Sequence, residues 1–212
     1  MACSICEKRR PRRHCPGVRG EICTLCCGAE REVTVNCPLD CPHLLEAHEH
    51  ERVAPVDPDQ FPHQDIRVTD EFLRDHEALL VFLAKTLADA ALQTEGAIDY
   101  DLRDALDALV RTYRTLQSGV YYETRPTNAL AARICDLVQD ALERFRRNET
   151  EKLGVTHTRD SEVLGVLAFL QRLELARNNG RARGRAFLSF LLGFFPESER
   201  AGEPVSTSLI LP

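Results

Sequence analysis

The sequence predicts a mainly α-helical protein in which a cysteine-rich N-terminal segment with little regular structure is followed by an antiparallel bundle of four to five helices. Three observations predict this division. Eight of the nine cysteines lie in the first 41 residues. No Phe, Tyr or Trp precedes Phe61. Further along the chain, apolar residues recur every three or four positions, which is the period of an amphipathic helix, and no alternating pattern typical of a strand competes with it.

Composition divides the chain into four segments. Residues 1–52 contain too few apolar side chains to fold around a core of their own, so metal ligation must take the place of one. Residues 53–66 carry three prolines and are predicted to be a linker. Residues 67–196 have the apolar content of an ordinary helical domain, and residues 197–212 are predicted to be a flexible tail.

The predicted helices are delimited by capping residues, glycines and prolines. The boundary residues are Thr69 and Gly96 for the first helix, Ile98 and Gly119 for the second, Pro126 for the start of the third, Asp160 and Gly180 for the fourth, and Pro196 after a short fifth. The connections between these long helices are short, which favours antiparallel packing of neighbours in a bundle.

The N-terminal cysteines have the spacing of metal ligands. They are Cys3, Cys6, Cys15, Cys23, Cys26, Cys27, Cys37 and Cys41. A Cys-x2-Cys pair turns the backbone so that two thiolates reach one ion, and structural zinc takes four ligands in tetrahedral geometry. Thiolate-only sites suit zinc or an iron–sulfur cluster, and two paired knuckles resemble structural zinc more than a ferredoxin spacing. The sequence therefore predicts two structural zinc ions.

The assignment of cysteines to the two ions depends on keeping each Cys-x2-Cys pair whole. Filling the sites in sequence order would separate Cys23 from Cys26, whereas a cross-braced arrangement keeps both pairs intact. The cross-braced assignment places one ion on Cys3, Cys6, Cys23 and Cys26 and the other on Cys15, Cys27, Cys37 and Cys41. His14 and His43 neighbour ligand positions and are the alternative ligands if one of these cysteines is free.

The motifs Cys3-x2-Cys6, Cys15-Pro16 and Cys23-Thr24-Leu25-Cys26 resemble the cross-braced zinc fingers of the HIT and MYND type. The family pattern has a second cysteine shortly after Cys-Pro, which this sequence lacks, and Cys27 is the candidate to fill that vacancy. The resemblance implies a structural, protein-contacting module and says nothing about the helical part. The whole chain looks similar to bacterial proteins of unknown function, which adds no mechanism.

The formal net charge of −6 hides an uneven distribution. Residues 1–20 hold six basic groups and one acid (+5), residues 53–107 hold 13 acids and 4 bases (−9), and residues 108–212 hold 15 bases and 12 acids (+3). The candidate anion contacts in the first segment are Arg9, Arg10, Arg12 and Arg13, and a second cluster consists of Arg177, Arg181, Arg183 and Arg185.

These arginines make nucleic-acid binding the alternative function. The overall acidic balance and the absence of aromatic residues for base stacking before Phe61 count against it. Two zinc sites of four thiolates would each carry a charge of −2, which nearby arginines can offset. The second cluster follows the helix end at Gly180, where solvated cations suit the helix dipole.

Catalytic signatures are weak. His43 and His48 are five residues apart and lie on different sides of a helix, so they do not form the His-Glu-x-x-His motif of zinc proteases and predict only a short polar helix. His76 lies beside an apolar stripe and is interpreted as a boundary histidine. The connector 121–126 is polar, and pairing of Glu123 with Arg125 is expected there. No catalytic residue is predicted.

Export and membrane insertion are not indicated. The N-terminus lacks the apolar segment of a secretory signal, so we expect a cytoplasmic protein whose reduced thiols bind metal. The longest nearly apolar run, residues 187–195, has nine residues, whereas a membrane-spanning helix needs roughly 20. The ninth cysteine, Cys135, lies within a helical pattern and is predicted to be a small buried side chain.

The expected function is that of a non-enzymatic zinc-binding protein, a protein-interaction or adaptor module with structural zinc. A nucleic-acid-binding regulator that uses the arginine-rich zinc loop is the alternative, and an enzyme with an unrecognised site in the bundle is third. The expected partner is a protein that the sequence does not identify, and no membrane association is expected.

Overall fold

The computed structural model describes residues 2–51, 56–119 and 122–195. Within these ranges it contains eight α-helices, a 3-10 turn at Pro58–Gln60 and one two-stranded sheet. This confirms the predicted mainly α-helical fold with a cysteine-rich N-terminus. The predicted tail 197–212 lies outside the described residues.

The N-terminal module is built on one hairpin and two short helices. Strands β1 (Arg13–Cys15) and β2 (Gly20–Ile22) pair in antiparallel register. Helix α1 (Thr24–Glu30) follows β2 directly, and helix α2 (Pro42–His50) begins directly after Cys41. The short polar helix predicted around His43 and His48 is therefore present.

The apolar interior of this module is very small. The buried side chains that cluster there are Cys3, Ile22, Cys23 and Cys26. Three of these four are thiols, so the centre of the module is also the place where metal ligands are predicted. A segment with so little apolar surface to bury depends on another source of stability.

Six helices form the bundle. They are α3 (Asp70–Asp75), α4 (Glu77–Leu92), α5 (Asp99–Gln117), α6 (Ala129–Leu153), α7 (Asp160–Arg177) and α8 (Ala186–Leu192). Helix α5 packs against α6 and α7, and α4 packs against α6 and α8. The largest fully buried side chains of the bundle are Leu83, Leu87, Leu102, Leu106, Leu109, Ile134, Leu142, Leu167, Leu170 and Phe187.

The first predicted helix is divided in two at His76. The backbone of His76 has φ −115° and ψ 25°, which ends α3 and begins α4. Its ring stacks on Phe72 with 4.4 Å between centroids, and its Nδ1 atom lies 2.8 Å from the Phe72 carbonyl oxygen. These local contacts fit the interpretation of His76 as a boundary histidine.

The described part of the predicted linker, residues 56–66, lies against the bundle. Arg172 of α7 donates hydrogen bonds of 2.8 Å to the carbonyl oxygens of His63 and Ile66. Arg114 of α5 pairs with Asp65, and the side chain of Ile66 packs on the apolar core. Prolines in this segment predict the absence of a long helix, but they do not predict whether the chain leaves the surface.

Candidate metal centre

Four cysteines meet at the centre of the N-terminal module. Each of Cys3, Cys6, Cys23 and Cys26 offers one sulfur, and the four sulfurs lie within 4.8 Å of one another. Among the described residues this is the one group of three or more Cys, His, Asp or Glu ligand atoms that meets so closely. It is the group that cross-bracing assigns to the first ion.

The local backbone aims N–H groups at these sulfurs. The amide of Cys23 donates to the sulfur of Cys3 at 3.2 Å, and the amide of Cys26 donates to the sulfur of Cys23 at 3.4 Å, where the thiol also caps helix α1. The amide of Cys6, followed by smaller contributions from other amides, lowers the pKa of Cys3 to about 6 against the opposing effect of burial. Thiolates are the form that binds metal.

Four sulfurs so close together cannot all ionise without a cation. The neighbouring thiol of Cys23, together with burial and the thiols of Cys6 and Cys3, raises the pKa of Cys26 to about 12. Hydrogen bonds to the neighbouring sulfurs and burial favour the protonated thiol of Cys26, whereas a bound divalent ion would favour the thiolate form of all four. Sulfur-only donors in this number fit a tetrahedral zinc ion.

Arg9 lies beside this group. The sulfur of Cys23 accepts from its guanidinium, and the charges of Cys23, Cys6 and Cys26 raise the pKa of Arg9 further. An ion held by four thiolates keeps a net charge of −2, which Arg9 is placed to offset. Of the candidate anion contacts, Arg9, Arg10 and Arg12 are exposed and Arg13 is half-buried.

The other four cysteines approach one another less closely. Cys15, Cys27, Cys37 and Cys41 line a cavity of about 20 Å³ between the hairpin and the start of α2. A space of this size holds about one water molecule. Burial raises the pKa of Cys37, and the charges of Cys15 and Cys41 raise it further, which places these thiols within electrostatic reach of one another.

Two arginines face this second group. Arg13 donates to the sulfur of Cys27 at 3.5 Å, and Arg31 approaches the same sulfur at 3.9 Å. The two alternative histidines also border the cavity. The His14 side chain is 66% exposed and lies 3.3 Å from Glu21, whereas that of His43 is 36% exposed and lies 3.8 Å from Glu46.

Glu32 is the residue near the cysteines that sequence reasoning missed. It is 1% exposed, although a lone buried carboxylate is costly. Its oxygens accept from the Arg185 backbone amide at 2.7 Å and from Asn179 Nδ2 at 2.8 Å, and Nε2 of His48 lies at 3.0 Å. Burial alone would raise the pKa of Glu32, but His48, the Arg185 amide and Asn179 together lower it.

The second arginine cluster holds the module on the bundle. Arg181 donates to the Arg31 carbonyl oxygen at 2.7 Å and pairs with Glu51 at 3.3 Å. Arg185 donates to the carbonyl oxygens of Cys37 at 3.2 Å and Ala97 at 3.0 Å. These two side chains therefore contact the protein itself and are not simply solvated at a helix end, as the position after Gly180 suggested.

A wider groove lies on the bundle. It measures about 560 Å³ and includes the connector after α5. Arg125 pairs with Glu123 at 2.9 Å, which confirms the expected pair, and also with Asp136; Arg146 pairs with Asp160 at 2.7 Å. Most charges lining the groove are thus matched by neighbours. Tyr121, the start of the polar connector, lies outside the described residues.

Comparison with known proteins assigns no family to this chain. No family model, no curated protein and no solved structure matches it. The resemblance to HIT and MYND fingers therefore has no family match behind it, although the group of four cysteines is compatible with a zinc module. In the described part of the chain, no helix has the length and apolar character needed to cross a membrane.

Proposed function

We propose that the protein is a non-enzymatic interaction protein whose N-terminal module is folded by two structural zinc ions and presented by the helical bundle. The observation that carries the proposal is the convergence of Cys3, Cys6, Cys23 and Cys26 within 4.8 Å. The second ion is assigned to the four cysteines around the small cavity. The free cysteines of the described chain suit a reducing compartment such as the cytoplasm.

A structural role is favoured over a catalytic one by the donor set. Four thiolates complete the tetrahedron of a zinc ion, whereas catalytic zinc keeps one position open for water or substrate. Cys3, Cys23 and Cys26 are also buried, at 0%, 3% and 8% exposure. When bound, the ion would supply cross-linking of the chain, and the surrounding residues would hold it away from solvent.

The surface of the module offers an apolar contact to a partner. Leu25, between Cys23 and Cys26, is 63% exposed, and Val33 and Leu45 are each 42% exposed. The metal site fixes the backbone at Leu25, so this side chain is presented on a rigid element at little entropic cost. Rigid apolar anchors of this kind contribute strongly to protein interfaces.

The nucleic-acid alternative has less support. Arg9 and Arg13 contact sulfurs, and Arg181 and Arg185 contact the backbone of the module. Four of the eight arginines on which that alternative depends are therefore engaged within the protein. Arg10 and Arg12 remain exposed and are its strongest candidates.

The proposal is tested with the full chain and two matched variants. Leu25→Asp changes the exposed leucine of the module, and Leu153→Asp changes a leucine of the bundle that is 60% exposed. Elemental analysis should find two equivalents of zinc in the wild type and in both variants. Affinity capture should recover one discrete protein partner with the wild type and with Leu153→Asp, and lose it with Leu25→Asp.

Each other outcome contradicts a stated part of the proposal. One equivalent of zinc, or none, in the wild type overturns the two-ion model. A partner retained by zinc-loaded Leu25→Asp shows that this surface is not the contact. Recovery of nucleic acid that is released by salt and lost in an Arg10→Glu, Arg12→Glu double variant would favour the alternative function.

A further inference from the structure

The turn after helix α1 makes hydrogen bonds that hold the module against the bundle. Glu32 lies in this turn with φ 54°, a left-handed conformation that is costly for a residue with a side chain. Its carboxylate accepts two hydrogen bonds from the loop that follows α7, those of the Arg185 amide and Asn179. Its own carbonyl oxygen accepts a third from the Arg183 amide at 2.7 Å. Contacts from the bundle therefore hold the strained turn in place.

The same turn borders the second group of cysteines. Arg31, the residue before Glu32, lines the cavity of the second group and approaches the sulfur of Cys27 at 3.9 Å. Arg185, whose amide binds Glu32, uses its guanidinium to hold the Cys37 carbonyl oxygen at 3.2 Å. The second group is thus contacted from two sides, at Cys27 by the residue that begins the turn and at Cys37 by a residue of the bundle loop.

The first group of cysteines is positioned differently. The amides that donate to its sulfurs, among them those of Cys23 and Cys26, are amides of the module itself. Arg9, which lies beside it, is also a residue of the module. The two groups should therefore respond differently when the contact between the module and the bundle is weakened.

We propose that Glu32 is the positioning residue of the second zinc site, and that zinc binding there and docking of the module on the bundle stabilise each other through it. This inference rests on the two-ion function proposed above. Coupling of this kind is reciprocal, so zinc bound at the second site must strengthen docking by the same factor by which docking strengthens zinc binding there. Zinc binding at the first site should not change.

The test compares two arginines of the bundle loop. Arg185→Ala removes the guanidinium that holds the Cys37 and Ala97 carbonyl oxygens. Arg183→Ala is the matched control, because the Arg183 side chain is exposed and its backbone amide, which alanine retains, makes the contact to Glu32. Glu32→Gln keeps the shape of the side chain and removes its charge.

Release of zinc from the loaded full-length chain is followed by chelator titration with a zinc indicator. Cys41→Ser identifies which of the two equivalents belongs to the second site. The zinc at the second site should be bound on the order of tenfold more weakly in Arg185→Ala and Glu32→Gln, because each variant loses a charged hydrogen-bond group. The zinc at the first site should be bound as tightly as in the wild type in both variants. Arg183→Ala should match the wild type at both sites.

A second measurement uses only the wild type, so it does not depend on the folding of any variant. Partial chelation that removes zinc from the second site should increase amide hydrogen exchange in residues 178–185, while the amides of α5 remain protected. Unchanged exchange there, or equal release of both equivalents in all variants, overturns the coupling and leaves the two-ion proposal intact. A wild type that binds fewer than two zinc ions overturns the two-ion proposal itself.

Discussion

The module and the bundle are stabilised by different means. The bundle buries leucines from five helices, and each buried leucine contributes roughly 1.5–3 kcal/mol. The module buries far fewer apolar side chains: Ile22 clusters with three cysteines, and Val35 and Leu44 are buried elsewhere in it. Where the sequence supplies apolar side chains at helical spacing, burial is sufficient, and where it does not, thiols take the same interior positions. This difference predicts that the module depends on bound metal for its fold and that the bundle does not.

The contact between the two units is largely polar. Glu32, Asn179, Arg181 and Glu51 form its hydrogen bonds and ion pair, and Leu39 of the module packs on the bundle core. Buried polar contacts set the relative position of two units more than they add stability, because desolvation offsets much of their energy. The two units should therefore differ in how they respond to the same perturbation.

Removal of metal should produce the largest difference. The free energy of zinc binding to small thiolate modules is about 10–16 kcal/mol and is available only to the folded form. We expect a strong chelator, or the substitution Cys3→Ser, to unfold residues 2–51 while α4 to α7 keep their helical far-UV signal. Amide hydrogen exchange resolves the two units in one experiment.

The ninth cysteine provides the control for this prediction. Cys135 is buried in α6 and its thiol donates to the Ala105 carbonyl oxygen at 3.3 Å. Cys135→Ser should leave both zinc equivalents in place and affect only the bundle. If chelation or Cys3→Ser melts the long helices together with the module, the two units are not separate.

A glycine in the bundle should give the next largest effect, independent of metal. A Cβ atom added at Gly165 of α7 would lie 2.5 Å from Cζ and 2.9 Å from Cε1 of Phe72. Overpacking of this kind costs about 1–3 kcal/mol. Gly165→Ala should lower the free energy of unfolding of the bundle by up to about 2 kcal/mol, because a gain of about 1 kcal/mol in helix propensity offsets part of the overpacking. Urea denaturation measures this loss, and no zinc should be lost.

Gly28 of α1 is the matched position in the module. A Cβ atom there would have no neighbour within 4 Å, so Gly28→Ala changes helix propensity alone and should be neutral or slightly stabilising.

A Gly165→Ala protein as stable as the wild type would show that Phe72 does not pack against α7 as described.

The sequence predicted the parts of the structure that depend on local patterns. Apolar periodicity and capping placed helix α7, which begins at Asp160 and is capped by Asn178. The spacing of the cysteines predicted that Cys3 and Cys6 share one site with Cys23 and Cys26, and these four sulfurs do converge. Both signals arise within short stretches of chain, or from residue types whose chemistry allows few alternatives.

The contacts between distant segments were not predictable in this way. The partners of Glu32 in the bundle lie 147 and 153 residues away along the chain, and nothing in the local sequence distinguishes it from the exposed glutamates nearby. The division of the first helix at His76 was not predicted either, because the apolar periodicity of the sequence continues through this residue. A buried charge becomes recognisable only when the packing that surrounds it is known.

A change at Asp99 should have the smallest effect on stability, and it tests the contact between helices α5 and α8 of the bundle. This carboxylate is fully buried at the start of α5 and accepts from the amides of Phe187 at 2.9 Å and Leu188 at 3.1 Å. Burial raises its pKa to about 7; the two amides oppose the shift, and the charges of Glu174 and Glu32 add to it. The folded state therefore binds a proton that the unfolded state, with an ordinary aspartate pKa, has already lost.

Because the pKa of Asp99 is raised in the folded state, the stabilisation that its proton provides is fully present at low pH. It is lost as the pH rises towards and through about 7. Between pH 6.5 and 8, with zinc saturating, the free energy of unfolding of the wild type should fall by on the order of 1 kcal/mol from this group. Asp99→Asn, which resembles the protonated acid, should lack that share of the slope in urea denaturation followed by far-UV circular dichroism. Equal slopes in the two proteins would show that Asp99 is already ionised in the fold, so that the amides of α8 outweigh its burial and the bundle tolerates a charge in its interior.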